Sequence, residues 1–427
     1  MGYHMKPLIA AAAFAAAAAC AAQKPAAQKP APPPAPENVP ELMTASSGAK
    51  IETAAAWESV RAPELLSLFA REEYGVRPAA AEDRSRTGFA VVDEREAMGG
   101  AAVRKIVEIT YKGPCGELKF RATAFIPKSP RKVPAFLLIC NRDPKENIDP
   151  DRAAKSGFWP AEEIVARGYA AIAFWNGDIA PDDRKARFSK GVFPCVEAAS
   201  ARKADSWAAI SAWAWGASRV MDWIETEPLI DGAHVAVAGH SRGGKTALWA
   251  GATDRRFAMV CSNNSGCGGM KLNHIRLPRS ESIAKITRSF PHWFCRNFSK
   301  YRGKERTMPF DQHELAALIA PRLLAVAVAT EDHWSGQAGQ WHACRLAGPA
   351  WELYGKKGLA ADEPPAPGAA RQEGCISYHV RQGVHDLTPY DWERYLDFAD
   401  LHGWRGKQTT RKRLEPPRAA GRKNKGD

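Results

Sequence analysis

The chain has 427 residues, 45% of them hydrophobic and 25% charged, and a formal net charge of +13. That length and apolar content supply a sizeable core in one large domain or two smaller ones, and they exclude a disordered or fibrous chain. The positive charge is uneven: residues 405–427 hold nine Lys/Arg against two Asp/Glu, a tail of +7 without any nucleic-acid-binding motif, so no nucleic-acid partner is expected.

The first segment in chain order is "MKPLIAAAAFAAAAAC", which ends at Cys20. Its apolar run, Leu8 to Ala19, is shorter than the ~20 residues of a membrane span and reads as an export signal over residues 1–20. Three alanines before Cys20 leave two equal readings: a lipoprotein signal with a lipid anchor at Cys20, or an ordinary signal peptide with an incidental cysteine. Either way the chain is expected to be exported, to the periplasm, the outer membrane or beyond. Residues 21–43, with "AQKPAAQKPAPPPAPENVP", read as a disordered Pro/Ala-rich linker. A folded domain is expected over 44–404 and a disordered basic tail over 405–427.

Export implies an oxidising compartment. Cys115, Cys140, Cys195, Cys261, Cys267, Cys295, Cys344 and Cys375 are therefore expected to be a mixture of buried thiols and one or two bridges. The chain has no CxxC pair and no HExxH, so no metal site is expected. Of fourteen tryptophans, most are expected in the core; an exposed one suits a sugar face.

The folded part opens on a helical pattern, "AAWESVRAPELLSLFAREEYG". "KIVEITY" and "FRATAFIP" then alternate as half-buried antiparallel strands do. "PAFLLIC", "YAAIAFW", "HVAVAG" and "RLLAVAVAT" are continuous apolar runs, the pattern of parallel strands buried on both faces. Helical segments lie between them, including "PAEEIVARG" and "SWAAISAWAWGASRVMDWIETE". Strands that alternate with helices predict a doubly wound α/β sheet.

Gly239-His240-Ser241-Arg242-Gly243 matches G-x-S-x-G at the junction of a buried strand and a helix expected to begin near Gly244. A sharp strand-to-helix turn thrusts the serine hydroxyl outward, and the helix N-terminus stabilises negative charge there. The alternative, a helix N-cap serine, does not account for the flanking glycines. In such folds an acid and then a histidine follow the serine. Asp332, just past "LLAVAVAT", is the first choice for the acid and Glu331 the second. His385, in a loop before the last helix, is the expected base, with His379 as its competitor. His385 would deprotonate Ser241, Asp332 would hold the imidazole, and the Arg242 N–H would bind the oxyanion, with its side chain adding a cation. Lys245, four residues on from Ser241, shares its helical face and is placed to touch substrate oxygens. The competing readings are an internal salt bridge for Arg242, a solvated face for Lys245 and a core or rim position for Trp334.

"GHSRGGKTALWAGATD", "CSNNSGCGG", "FPHWF", "PFDQHELAALIAPR", "ATEDHWSG" and "YHVRQGVHDLTPYDWERYLDF" resemble the bacterial glucuronoyl esterases of carbohydrate esterase family 15. The resemblance implies an α/β-hydrolase: a three-layer sandwich with a mostly parallel central sheet. It implies a cofactor-free serine esterase that cleaves esters between 4-O-methyl-glucuronoyl groups of xylan and lignin alcohols; separately from the resemblance, a monomer is expected. It makes Ser241 the nucleophile, His385 the base and Arg242 part of the oxyanion hole, with Lys245, Glu281 and Trp334 on the uronate. Three departures stand out. Ser280 replaces the family's usual glycine before Glu281. Asn264 stands where some members carry the triad acid one strand earlier, which points to Asp332 instead. "WSGQ" stands where "WADP" is common. The alternative function is another carbohydrate esterase, such as an acetyl-xylan esterase. A non-catalytic binding protein built on a decayed hydrolase is less consistent with an intact Ser241, Asp332 and His385.

Overall fold

The computed structural model describes residue 36 and residues 38–405. The export signal, Cys20, most of the linker and the tail past Arg405 lie outside the described residues. Strands β1 (Thr87–Ala97), β2 (Ala102–Lys112) and β3 (Glu117–Pro127) form an antiparallel meander. Strands β4 (Val133–Cys140), β5 (Ala170–Trp175), β6 (Ile230–His240), β7 (Met259–Asn263), β8 (Leu323–Ala329) and β10 (Ile376–Arg381) run parallel, and the short β9 (Ala369–Arg371) closes the far edge antiparallel to β10. The ten strands make one sheet in the order β1-β2-β3-β5-β4-β6-β7-β8-β10-β9.

Every residue of β4, β7 and β8 is buried, on both alternating faces. Only a sheet covered on both sides buries both faces, so the arrangement is the expected three-layer α/β-hydrolase. Helix Arg242–Thr253 packs on β6, β7 and helix Ala209–Ile224, while helix Pro389–Leu401 packs on β10 and β8. All fourteen tryptophans except Trp175 and Trp334 are buried, which accounts for their number as core. β4 and β6 are neighbours although β5 intervenes in sequence. The strand order therefore reverses there, and Ser241 follows the C-terminal end of β6 at that switch point, where such sheets bind their ligands.

Three expectations need correction. Residues 38–43 belong to the folded unit rather than to a linker: Leu42 is buried, and Arg61 donates to the carbonyls of Glu41 and Leu42. Arg405, assigned to the tail, pairs with Asp400. No two of the eight described cysteines are bridged; seven lie buried as thiols and Cys115 is exposed. The buried thiols fill apolar space in separate elements, as small hydrophobes do, and burial pushes that of Cys140 up to about 12.

Candidate active site

The turn at Ser241 is strained, with φ 55° and ψ −120°. A non-glycine residue with positive φ costs on the order of 1–3 kcal/mol and persists only where its surroundings hold it. Here the Ser241 N–H donates to the Asn263 carbonyl at the end of β7 (2.9 Å), and the Ser241 carbonyl accepts from Lys245 N (3.1 Å). The flanking glycines are required by space. A Cβ on Gly239 would sit 2.1 Å from the Gly243 carbonyl oxygen, and one on Gly244 would sit 2.8 Å from that of Asn263. Helix Arg242–Thr253 starts immediately after the serine, two residues before the expected Gly244, so its unpaired first-turn N–H groups begin at Arg242 itself.

His385 and Asp332 meet: His385 Nδ1 lies 2.6 Å from Asp332 Oδ2. Asp332 is buried, whereas the imidazole is 38% exposed. Burial alone pushes the Asp332 carboxyl up, but hydrogen bonds from His385 and Ser335, together with the His385 charge, hold it below the ordinary value. The other oxygen of Asp332 accepts from Ser335 N (3.2 Å). His240, adjacent to the serine, brings its ring centroid within 4.4 Å of that of His385, so the imidazole stands beside the elbow. Burial and the nearby His385 push His240 well below the usual imidazole range, and its Nδ1 meets Asn263 Oδ1 at 2.6 Å. The rivals lie elsewhere. Glu331 is exposed, with only its backbone bonded to Gly383. His379 is fully buried on β10 against Asp391 (2.9 Å).

Asn264 occupies the position of the alternative acid. Its amide donates to Asn263 Oδ1 and to the Asp386 carbonyl, both at 3.1 Å, and so ties β7 to the loop that carries His385.

The two cations take different places. Arg242 does form an internal ion pair: its Nε lies 2.5 Å from Asp182 Oδ2, and its Nη2 donates to the Asn141 carbonyl (2.7 Å). Burial pushes Asp182 up, but His292, Arg242 and Trp293 hold it below the ordinary carboxylate value. Lys245 is buried rather than solvated; its Nζ donates to the Ser265 carbonyl and lies 3.1 Å from Glu281 Oε2. Glu281 also accepts from Cys267 N (3.0 Å), and its own N–H donates to the Trp334 carbonyl (2.8 Å). Lys245, Glu281 and Trp334 are thus joined, and Ser280 is accommodated by turning its hydroxyl to the Leu277 carbonyl (2.9 Å). Trp334 is 43% exposed, with Lys285 Nζ 4.9 Å from its ring centroid, which makes it a rim residue. Trp293 lies between the cations, 5.9 Å from Arg242 Cζ and 6.0 Å from Lys245 Nζ.

Sequence reasoning missed Asp182, Asn141, Trp293 and the structural part of Asn264. "FPHWF" contained Trp293 as a motif, but nothing in the loop around Asp182 marked it.

The family model "Glucuronyl esterase, fungi" matches residues 154–355. Carbohydrate esterase MZ0003, from an unknown prokaryotic organism, is 34% identical over 392 residues, which span 85% of this chain and 89% of the relative. The 4-O-methyl-glucuronoyl methylesterase 1 of Wolfiporia cocos is 32% identical over 220 residues, 48% of this chain and 53% of the relative. Among solved structures, a glucuronoyl esterase from Solibacter usitatus superposes with a TM-score of 0.78 at 33% identity, covering 85% of this chain and 97% of that one. A promiscuous CE15 esterase from the marine bacterial metagenome superposes with a TM-score of 0.76 at 35% identity, covering 87% and 98%. With that identity along nearly the whole folded length, on the same sheet, the chain belongs to carbohydrate esterase family 15, the glucuronoyl esterases.

Proposed function

We propose that the protein is a serine esterase that hydrolyses esters of 4-O-methyl-glucuronoyl groups of xylan with lignin alcohols. The observation that carries this is a strained serine at the strand-to-helix turn, with the His385 ring of an Asp332–His385 pair next to it and a buried Lys245–Glu281 pair one helical turn along. Relatives named 4-O-methyl-glucuronoyl methylesterase support the substrate class.

In this reading His385 takes the Ser241 proton as the hydroxyl attacks the ester carbonyl, and Asp332 keeps the imidazole in the accepting tautomer. The tetrahedral oxyanion is met by the Arg242 N–H and by the guanidinium that Asp182 and the Asn141 carbonyl aim. His385 then protonates the departing alkoxide, and water resolves the acyl-enzyme by the same steps. Lys245 donates to, and Glu281 accepts from, neighbouring uronate hydroxyls, while Trp334 offers a rim face for the sugar ring. An esterified uronate is neutral and becomes anionic only in the tetrahedral state, so the cations act on the transition state more than on the ground state.

The reading includes export, from the sequence of residues 1–20, and a monomeric state; lipid attachment at Cys20 would appear as a mass increment lost in Cys20→Ser.

The test sets a methyl or benzyl glucuronate ester beside an acetylated sugar. Uronate ester turnover that vanishes in Ser241→Ala is expected, with Lys245→Ala lowering kcat/KM for the uronate ester far more than for the acetyl ester. Preference for the acetyl ester in the native enzyme would favour the acetyl-xylan alternative.

A further inference from the structure

A cleft of about 470 Å³ shares a wall with the Lys245–Glu281 pair, and Lys271, Arg276, Arg279, Ser280, Glu281 and Lys285 line it. Glu281 belongs to both, since its Oε2 lies 3.1 Å from Lys245 Nζ. Lys285 reaches the rim, with its Nζ 4.9 Å from the ring centroid of Trp334. We propose that this cleft holds an oxyanion, a carboxylate or a sulfate, on a sugar neighbouring the esterified uronate, so that the enzyme selects acidic saccharides. The proposal rests on the uronate-esterase reading above.

The wall is unbalanced in charge. Four cations, Lys271, Arg276, Arg279 and Lys285, face two carboxylates, Glu281 and Glu305, and Lys245 already engages Glu281. Among the described residues none of the four cations has a carboxylate within ion-pair distance. Elsewhere Arg152, Arg167 and Arg256 each meet at least one. Like charges gathered in one wall repel, and an anionic guest relieves that repulsion. The reacting carboxyl is not that guest, because as an ester it is neutral and is held at Ser241. The anion therefore belongs to the saccharide that Glu281 and Trp334 seat.

Lys271 is 3% exposed, and its stem is clasped by the chain just past Trp334. A Cβ on Gly336 would lie 2.6 Å from its Cδ, and one on Gly339 2.9 Å from its Cγ. Its ammonium has no hydrogen-bond partner among the described residues, yet it is not sealed from solvent, and the open space that Lys271 lines is this cleft. Buried ammonium groups are paired as a rule. One left without an acceptor at a cleft is a donor held for a ligand. Arg276 and Arg279 are exposed at the mouth, on a loop that Ser280 pins: its hydroxyl and its N–H both donate to the Leu277 carbonyl, at 2.9 and 3.3 Å. A guanidinium fork matches the paired oxygens of a carboxylate or a sulfate. The serine that replaces the family's usual glycine thus holds two such forks next to Glu281.

The probes are three methyl glucuronate esters, with the glucuronate linked to xylose, to a glucuronic acid whose carboxylate is free, and to a sulfated xylose. The native enzyme is expected to show kcat/KM about tenfold higher for an anionic probe than for the neutral one, the size of a charge-assisted contact. The gain should lie mostly in KM, as binding away from the reacting carbonyl does, and the anion that gains more identifies the natural charge. In about 1 M NaCl, where screening reaches ~3 Å, the gain should shrink toward unity. The double variant Arg276→Gln, Arg279→Gln and the single variant Lys271→Met should each lower the preference about fivefold, with thermal unfolding to show that Lys271→Met is folded. Equal kcat/KM on all three esters, or a preference that survives in both variants, would overturn the anion site while leaving the esterase reading in place. A native enzyme inert toward all three would remove the esterase reading and the anion site together.

Discussion

Asp332→Asn removes one negative charge and almost no volume, and the structure says which way the new amide must face. One Asp332 oxygen accepts from the Ser335 N–H (3.2 Å) and the other meets His385 Nδ1 (2.6 Å). The amide oxygen has to stay toward Ser335, because an NH2 turned there would face another donor. The NH2 group is then presented to His385 Nδ1, which must accept instead of donate. That fixes the proton on Nε2, the nitrogen that should receive the Ser241 proton, and the imidazole is held in the wrong tautomer. In serine hydrolases this change costs roughly 10⁴ in kcat. At ~1.4 kcal/mol per tenfold, that is about 5–6 kcal/mol of transition-state stabilisation. The assay is steady-state hydrolysis of a methyl glucuronate ester at neutral pH, with thermal denaturation alongside to show that the isosteric variant is folded. A rate within tenfold of the native enzyme, together with a collapse in Glu331→Gln, would refute the reasoning and move the acid to Glu331.

Three further outcomes follow from other parts of the structure. Ser241→Gly should abolish turnover yet raise stability by about 1 kcal/mol, because glycine accepts φ 55° without strain; a lower midpoint in thermal unfolding would contradict the strained elbow. Lys245→Met should destabilise by about 3–5 kcal/mol by leaving buried Glu281 unpaired, and adding Glu281→Gln should return much of that in a double-mutant cycle; additive losses would mean that the pair is not coupled. Glu73, fully buried against Gln312, has its carboxyl pushed up to about 8 by burial, despite the Gln312 and Tyr74 hydrogen bonds and Lys245 that pull it down. The folded state therefore keeps a proton that the unfolded chain has released above about pH 4.5. Stability should fall as pH rises from there to about 8, by roughly 3–5 kcal/mol, and Glu73→Gln should flatten that slope in chemical denaturation.

Sequence legibility followed the range of the interactions. The four apolar runs identified β4, β5, β6 and β8, because parallel strands buried on both faces carry the signal in their own residues. β1 was not read: it is an edge strand with no residue fully buried, so no alternation survives. β7 was not read because five residues are too short for a period. The elbow at Ser241 was legible to the residue, since its strain and its glycines are set within one turn of chain. The choice between Asp332 and Glu331 was not, since both occupy the same loop and contact across 53 residues places one of them against His385.

By itself the sequence determined the α/β architecture, the strained serine and the family motifs, all written in local patterns of apolar residues, glycines and charge. Only the tertiary structure decided that Asp182 and the Asn141 carbonyl orient Arg242, and that Lys245 is buried against Glu281 instead of solvated. Such pairings join segments far apart in the chain. The free energy that selects them is the desolvation of polar groups which only the packed fold brings together.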